Sequence, residues 1–265
     1  MMLLALMQAN AVVLDVDANV RTMDGHARRA AEAGAGLLLT PELFPVGYSP
    51  LKVRQGLDPA RLPAIRASLA GIARRHGVGM VYSLPAVTDE GEWQITATLL
   101  DSQGAELLNY SKVHLFGGEE REAFGAAQSA PRVVDFAGLK TSLLICYDVE
   151  FPEAVRAAAD RGAELLLVPT ALSSGFGSVP QVLIRARAME SQVHVAYANH
   201  CGSEGAYEFL GGSVIASPDG TLLAAAGGSA EMLLAEISTD SVREARAAVP
   251  YLRERRPELY RSWED

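Results

Sequence analysis

The chain has 265 residues, of which 49% are hydrophobic and 21% charged, a balance that excludes a disordered protein and leaves room for a large buried core. Its 23 basic and 32 acidic residues give a net charge of −9 with no basic block, so no nucleic-acid partner is expected. Two cysteines make no disulfide framework, no apolar run approaches the ~20 residues of a spanning helix, and the opening MMLLALMQANAVV lacks a positive leader region, so a cytoplasmic setting without membrane contact is expected.

In chain order, short apolar runs alternate with helical periodicity. Residues 3–9 read as a strand, and 18–33 as a helix with Val20, Met23, Ala27, Ala30 and Ala31 on one face. GLLLT at 36–40 is a continuous apolar run that stops at Pro41, as a buried strand does. A second helix spans 59–76, with Leu62, Ile65, Leu69 and Ile72 at helical spacing and Gly77 as its stop. Strands then crowd together at 78–84, 94–101, 106–110, 132–136 and 141–146, the early ones separated by the turn signals DEGE and SQG. Alternation resumes with a helix at 153–161, a strand at 164–168, a helix at 182–191 and a strand at 193–198. Strands at 212–216, 221–226 and 232–237 follow, with Pro218-Asp219-Gly220 turning between the first two. Helices at both ends, strands dense in the middle and no linker predict a single α/β domain over 1–265, with strands numerous enough to need two layers covered by helices. The Arg-rich segment 250–265 is expected to be a C-terminal arm at a subunit interface, which makes the protein a homo-oligomer.

Cys146 ends the apolar run SLLIC and precedes YDVEFPE, in which Pro152 suits the first position of a helix and Glu153 its first turn. In such a strand-to-helix turn a thiol lies near a positive helix end, so its pKa of about 8.5 is expected to fall. Cys201, in NHCG, is read as structural. None of the five histidines (His26, His76, His114, His194, His200) stands in a pattern that pairs it with Cys146. The elbow G-x-C-x-G is absent, and no His/Cys pair has ligand spacing, so no metal is expected. A carboxylate is the better base. Glu42 directly follows GLLLT at a C-terminal strand edge, where α/β sheets collect functional groups, and burial beside Leu43 and Phe44 would raise its pKa. Only three of the 23 basic residues are lysines, Lys52, Lys112 and Lys140. Lys112, between a strand and GGEE, offers a compact ammonium in a chain that otherwise uses arginine.

Three segments, GLLLTPELFPVGY, YSKVHLFGGEEREAF and SLLICYDVEFPE, occur in that order. Together they resemble the Glu, Lys and Cys motifs of the nitrilase superfamily, the carbon–nitrogen hydrolases, on its amidase-like branch. ELLLVPTA, RARAMESQVHVAYANHCG and GGSVIASPDG extend the resemblance over nearly the whole chain. It implies a four-layer αββα sandwich that pairs into a homodimer. It also implies that Cys146 is the nucleophile, Glu42 the general base and Lys112 the cation for a tetrahedral oxyanion, helped by the backbone N–H of Tyr147. Glu120, four residues before Phe124, matches a second glutamate that positions Lys112 and the substrate amine or attacking water. No metal or organic cofactor is implied.

By their place after the Glu and VPTA motifs, Tyr48, Thr170, Ala171 and Phe176 are candidate substrate-binding walls, although packing explains Tyr48 and Phe176 equally well. Arg185, Arg187 and Glu190 are read as an ion-paired group near a subunit contact. The substrate expected from the resemblance is a small-molecule carboxylic acid amide, cleaved to carboxylate and ammonia through a thioester. Tyr147-Asp148 stands where nitrile-hydrolysing branches show Trp-Glu. Val149, Glu150 and Phe151 offer no cation for an N-carbamoyl amino acid. A thioesterase with the same thiolate, and a non-catalytic interaction protein on this scaffold, are the readings from other classes; intact Glu42, Lys112 and Cys146 speak against the second.

Overall fold

Apolar runs without polar alternation need cover on both faces, and here they form the centres of two sheets. The computed structural model describes residues 1–263. β1 (Met2–Gln8), β2 (Leu37–Leu39), β3 (Gly79–Val87), β4 (Trp93–Leu100) and β5 (Glu106–Ser111) build the first sheet. β6 (Val133–Phe136), β7 (Leu139–Leu143), β8 (Leu165–Pro169) and β9 (His194–Ala198) start the second. A separate hairpin of β10 (Cys201–Glu204) and β11 (Tyr207–Leu210) follows, then β12 (Val214–Ala216) and β13 (Leu222–Ala225) complete the second sheet. The chain returns to the first sheet as β14 (Glu231–Ile237), giving the orders β14-β1-β2-β3-β4-β5 and β13-β12-β9-β8-β7-β6.

Each sheet has three parallel strands at its centre, β1-β2-β3 and β7-β8-β9, with antiparallel strands outside them. The central strands are buried throughout: every residue of β2, β8 and β9 is covered. Helices α1 (Val16–Glu32), α2 (Pro50–Gly56) and α3 (Leu62–His76) belong to the first half of the chain. They are followed by α4 (Gly117–Ala123), α5 (Pro152–Asp160), α6 (Ile184–Ser191), α7 (Thr239–Ala248), α8 (Tyr251–Glu254) and α9 (Pro257–Arg261). α1 and α3 pack on the first sheet through β2 and β3, α6 packs on the second through β9 and β12 with α5 beside it, and the sheets meet through β2 and β3 against β8. That is the expected αββα order. Among the described residues no helix is long and apolar enough to cross a membrane.

Several elements lie outside the sequence expectation. α2 begins at Pro50 after its cap Ser49, a helix-start signal that a periodicity reading passes over because the helix has only seven residues. α4 opens on Gly117-Gly118 and has no apolar stripe long enough to register. The predicted strand 141–146 stops at Leu143, because the chain turns at Cys146, whose φ is +46°. The expected arm holds α8 and α9, and its last two residues, 264 and 265, lie outside the described residues. Its start is tied down by Gln192, whose Nε2 donates to Ala245 O at 2.8 Å and Val249 O at 2.5 Å, and Arg255 pairs with Asp160 at 2.7 Å.

The parallel centre of each sheet sends its C-terminal edge to the same end of the sandwich. β2 leads there to Glu42, β7 to Cys146 and β8 to Thr170, and the Glu42 N–H donates to Thr170 O at 3.2 Å, so the two sheets are stitched at that edge. The chain after Glu42 holds its course through Gly47, at φ +75°, where a Cβ would stand 2.6 Å from the backbone Cα of Val13. Gly47→Ala therefore combines positive-φ strain with a backbone clash. It is expected to lower unfolding free energy by about 2 kcal/mol or more in urea titration, and an unchanged midpoint would show that this loop tolerates displacement.

Candidate active site

Four buried side chains, Glu42, Lys112, Glu120 and Cys146, meet at this edge. Thr40 leaves β2 with its N–H and hydroxyl both donating to Val81 O (3.1 and 2.9 Å), and Leu43, at φ +52°, turns the chain sharply after Glu42. Lys112 extends the end of β5: its N–H donates to Ile95 O and its carbonyl accepts from Ala127 N, both at 2.9 Å. Glu120 is carried on α4. Cys146 opens a 3-10 turn, Cys146–Glu150, in the left-handed backbone region that a non-glycine residue enters at a cost of roughly 1–2 kcal/mol.

The Lys112 ammonium donates to Glu42 Oε1 at 2.8 Å and to Glu120 Oε1 and Oε2 at 2.7 and 2.9 Å. Its three protons are thus all used. Glu120 is itself held: Oε1 accepts from the Tyr48 hydroxyl at 2.6 Å and Oε2 from the Phe116 N–H at 2.7 Å. The second oxygen of Glu42, Oε2, has no hydrogen-bond partner among the described residues, although it is buried. The Cys146 thiol lies beside that carboxylate, close enough to favour its charged form without being aligned on Oε2.

Burial dominates the electrostatics. It pushes the Glu42 carboxyl up to about 7, against the attraction of Lys112 and with the help of the Glu120 charge. Burial also drives the Cys146 thiol well above its ordinary range, reinforced by Glu42 and opposed by Lys112 and by the backbone of Ala171. The expectation of a lowered thiol pKa is therefore overturned: α5 begins only at Pro152, and the dry setting outweighs any helix-end field. Burial works against the Lys112 ammonium, yet Glu42 and Glu120 together hold it well above its usual value. A carboxylate poised near neutrality beside a protonated thiol can accept the thiol proton when a reacting carbonyl arrives.

The other sequence-predicted residues gather around this quartet. Tyr48 is buried with its hydroxyl on Glu120. Thr170 joins the site through its carbonyl to Glu42, while its own hydroxyl turns back to Val168 O at 3.4 Å. Ala171 sits at the Cys146 sulfur. Phe176 is 45% exposed and meets Phe116 edge-to-face at 5.9 Å; Phe116 meets the Tyr147 ring at 5.2 Å. These aromatics form a rim next to Cys146. Cavities of about 720 Å³ beside Arg246 and Leu252 and about 500 Å³ beneath the arm at Met189 and Tyr251 lie elsewhere, and neither is lined by the quartet. Perturbed titratable groups mark this site, not cavity size. Among the described residues no group of three or more His, Cys, Asp or Glu side chains is placed to hold a metal ion.

Sequence reasoning missed the residues that brace the quartet. Asp148, two residues after Cys146, accepts from Tyr110 OH (3.0 Å) and Ile145 N (3.3 Å) on Oδ2. On Oδ1 it accepts from His114 N (2.8 Å) and pairs with His114 Nδ1 (2.9 Å), and the His114 ring stacks on Phe151 at 3.9 Å. One carboxylate thereby joins the Cys146 turn to the Lys112 segment. Arg187 pairs with Glu190 at 2.9 Å as expected, but it also donates to Val149 O at 3.1 Å and Glu150 O at 2.6 Å, clamping the far side of the same turn. The available signal was Asp148 itself, a polar residue inside an apolar strand-to-helix junction.

Residues 3–247 match the family model for carbon-nitrogen hydrolase. The chain belongs to the carbon–nitrogen hydrolase family. The NitN amidase from Nesterenkonia sp. AN1 superposes with a TM-score of 0.93 at 45% identity, over 99% of this chain and 100% of that one. A Glu-to-Gln variant of the same amidase, at TM-score 0.92, 45% identity and the same coverage, shows Michael addition of acrylamide at its active site cysteine. Among curated relatives, a hydrolase in the pqqF 5' region of Pseudomonas protegens is 40% identical over 98% of this chain and 90% of its own length. The 2-oxoglutaramate amidase of Bacillus subtilis is 32% identical over 85% of this chain and 87% of its own.

In this carbon–nitrogen hydrolase the Asp148 brace makes a direct prediction. Asp148→Ala leaves buried donors from Tyr110, His114 and Ile145 without their acceptor, and is expected to cost about 2–4 kcal/mol in urea unfolding together with much of the activity. A variant as stable and active as the wild type would remove Asp148 from the architecture of the site.

Proposed function

We propose that this carbon–nitrogen hydrolase cleaves carboxylic acid amides to carboxylate and ammonia, with Cys146 as nucleophile, Glu42 as general base and acid, Lys112 as oxyanion partner and Glu120 as the residue that steadies Lys112. The observation that carries the reading is the convergence of a protonated thiol, a carboxylate near neutrality and a saturated ammonium in one dry site. The acrylamide adduct on the active site cysteine of the NitN amidase supports the amide as substrate class.

The amide carbonyl enters between Cys146 and Lys112. Glu42 takes the thiol proton as sulfur attacks carbon, and the carbonyl π electrons move onto oxygen. That oxyanion is held by Lys112 and by the backbone N–H of Tyr147. Lys112 frees a proton for it by giving up one of its two bonds to Glu120, whose oxygens keep their bonds from Tyr48 and Phe116. Collapse breaks the C–N bond as Glu42 returns its proton to the departing nitrogen, and ammonia leaves. Water then attacks the thioester, giving its proton to Glu42. Breaking the C–S bond releases the carboxylic acid, and the sulfur recovers its proton. The balance is amide plus water to acid plus ammonia, with no cofactor in the scheme.

The substrate enters past Phe116, Tyr147 and Phe176, with Tyr48, Thr170 and Ala171 lining the interior. After Cys146 the chain offers Val149, Glu150 and Phe151, none of them a cation for a substrate carboxylate, which favours simple amides over N-carbamoyl amino acids. We assign the working form to a cytoplasmic homodimer of single-domain subunits, paired through the segment 250–265. Exposed Val182, Met189 and Tyr251, on and beside the cavity between α6 and the arm, support that face as the contact.

The assignment is tested by ammonia release from a panel of aliphatic, aromatic and amino-acid amides with matched nitriles. Cys146→Ala is expected to abolish release while remaining folded, and Glu120→Gln to lower kcat by roughly 100-fold or more. Turnover by Cys146→Ala would sink the mechanism, and turnover of nitriles alone would replace the substrate class.

A pH profile tests the base separately. Glu42 acts only when deprotonated, and its pKa is raised to about 7, so kcat/KM should climb with pH and level off above that value. A limb near the ordinary glutamate value would point to a different base.

A further inference from the structure

A second buried ion pair lies under the Glu42 loop, and the scheme above makes no use of it. His200 follows β9, is fully covered, and sits between the rings of Phe44 (5.5 Å) and Phe209 (4.9 Å). Its Nδ1 faces Glu204 Oε1 at 2.5 Å and its Nε2 faces the backbone carbonyl of Glu42 at 2.6 Å. Glu204 Oε1 also accepts from Ala11 N at 3.0 Å, and Oε2 from Tyr48 N at 2.7 Å. A carboxylate with three donors around it is ionised. An imidazole with an acceptor on each nitrogen then donates from both, and is an imidazolium. Burial opposes this charge, but Glu204 holds the His200 pKa up, and His200 with the two backbone donors holds that of Glu204 down.

The partners of this pair give it more than a packing role. A buried ion pair is weak grounds for stability, since replacing it with apolar groups is often neutral. Here the two ends grip the main chain at two residues of the quartet's own network. From the Glu42 carbonyl the chain of contacts runs to His200, Glu204 and the Tyr48 N–H. From the Tyr48 hydroxyl it runs to Glu120, Lys112 and back to Glu42 Oε1. The contacts close into a ring. Leu43, held at φ +52° directly after Glu42, has a backbone that relaxes unless something over-determines it. Glu42 Oε2 has no hydrogen bond of its own to fix it.

We propose that His200 and Glu204 are positioning residues for the reaction: the pair fixes the main chain at Glu42 and Tyr48, and so aims the Glu42 carboxylate at the thiol while setting the Tyr48 hydroxyl that steadies Glu120. This rests on the reading of Glu42 as the base. Its signal in the sequence is slight, a His and a Glu four apart ahead of a glycine turn, NHCGSEG.

The test compares wild type with His200→Asn, His200→Gln and Glu204→Gln on one amide that the wild type hydrolyses, following kcat, KM, the pH profile and Tm. His200→Asn, too short to span both acceptors, is expected to lower kcat roughly 10- to 100-fold with KM within about threefold, since misaiming a base costs rate more than binding. Its acid limb should move to higher pH, because the positive charge of His200 beside Glu42 is removed. His200→Gln, able to donate to the Glu42 carbonyl, should recover part of kcat, and Glu204→Gln should lose kcat without a matching change in KM. If His200→Asn fails to fold, Glu204→Gln decides alone. Folded variants with kcat within about twofold of wild type, or losses confined to KM and Tm, overturn the proposal. A wild type that releases no ammonia from any amide overturns the earlier reading instead, so the two failures are distinct.

Discussion

A cation with no access to water must find an acceptor for every proton, and that requirement organises this end of the molecule. The Lys112 ammonium is completely covered and has three carboxylate oxygens around it, from two glutamates that arrive on different elements. Glu42 comes from the end of β2, Glu120 from α4 and Lys112 from the end of β5, so the charges meet only when the first sheet and α4 are in place. The second sheet then brings Cys146 and the Thr170 carbonyl against them. Closing the sandwich thus completes the site, and an ammonium left short of partners there would cost several kcal/mol.

The dryness that makes the pairing obligatory also sets the chemistry. Two carboxylates and one ammonium cannot all be charged without leaving a net negative charge in a medium that does not screen it. Glu42, with one oxygen unpaired, is the group that yields, and its pKa rises to about 7. The adjacent thiol meets the same field and stays protonated. The thiol proton therefore passes to Glu42 only as an arriving carbonyl takes up the charge of the sulfur, and Glu42, poised near neutrality, can hand it on again. Backbone strain enters here as well: Leu43 and Cys146, at φ +52° and +46°, are two of the five non-glycine residues at positive φ among the described residues, and they are held by Asp148 and Arg187 at the Cys146 turn and by His200 at the Glu42 turn.

How much of this a reader could take from the residues alone depended on the range of the interaction. β2 was legible because GLLLT is a continuous apolar run between a glycine and a proline, and the residue just beyond such a strand, Glu42, was legible with it. Cys146 stood out as a thiol at a strand's end. The family resemblance supplied the layers and the roles of Lys112 and Glu120, which periodicity could not. The bracing contacts escaped because their partners are distant in the chain: His200 meets the Glu42 carbonyl across 158 positions and Tyr48 meets Glu204 across 156. β10 and β11 escaped because four-residue strands joined by a Glu-Gly-Ala turn carry no pattern beyond their immediate neighbours. The one physical inference that ran the wrong way, a lowered thiol pKa, weighed a helix end and left out desolvation.

The protonated state of Cys146 has a consequence outside hydrolysis. Peroxides and other electrophilic oxidants attack thiolates, and a thiol buried beside carboxylates is a poor target for them. The proposed nucleophile therefore rests as a thiol, and its thiolate character rises when a carbonyl in the site draws its proton onto Glu42. A proposed nucleophile kept in this way as a buried thiol offers such oxidants less than an exposed thiolate would, with no disulfide partner needed to shield it.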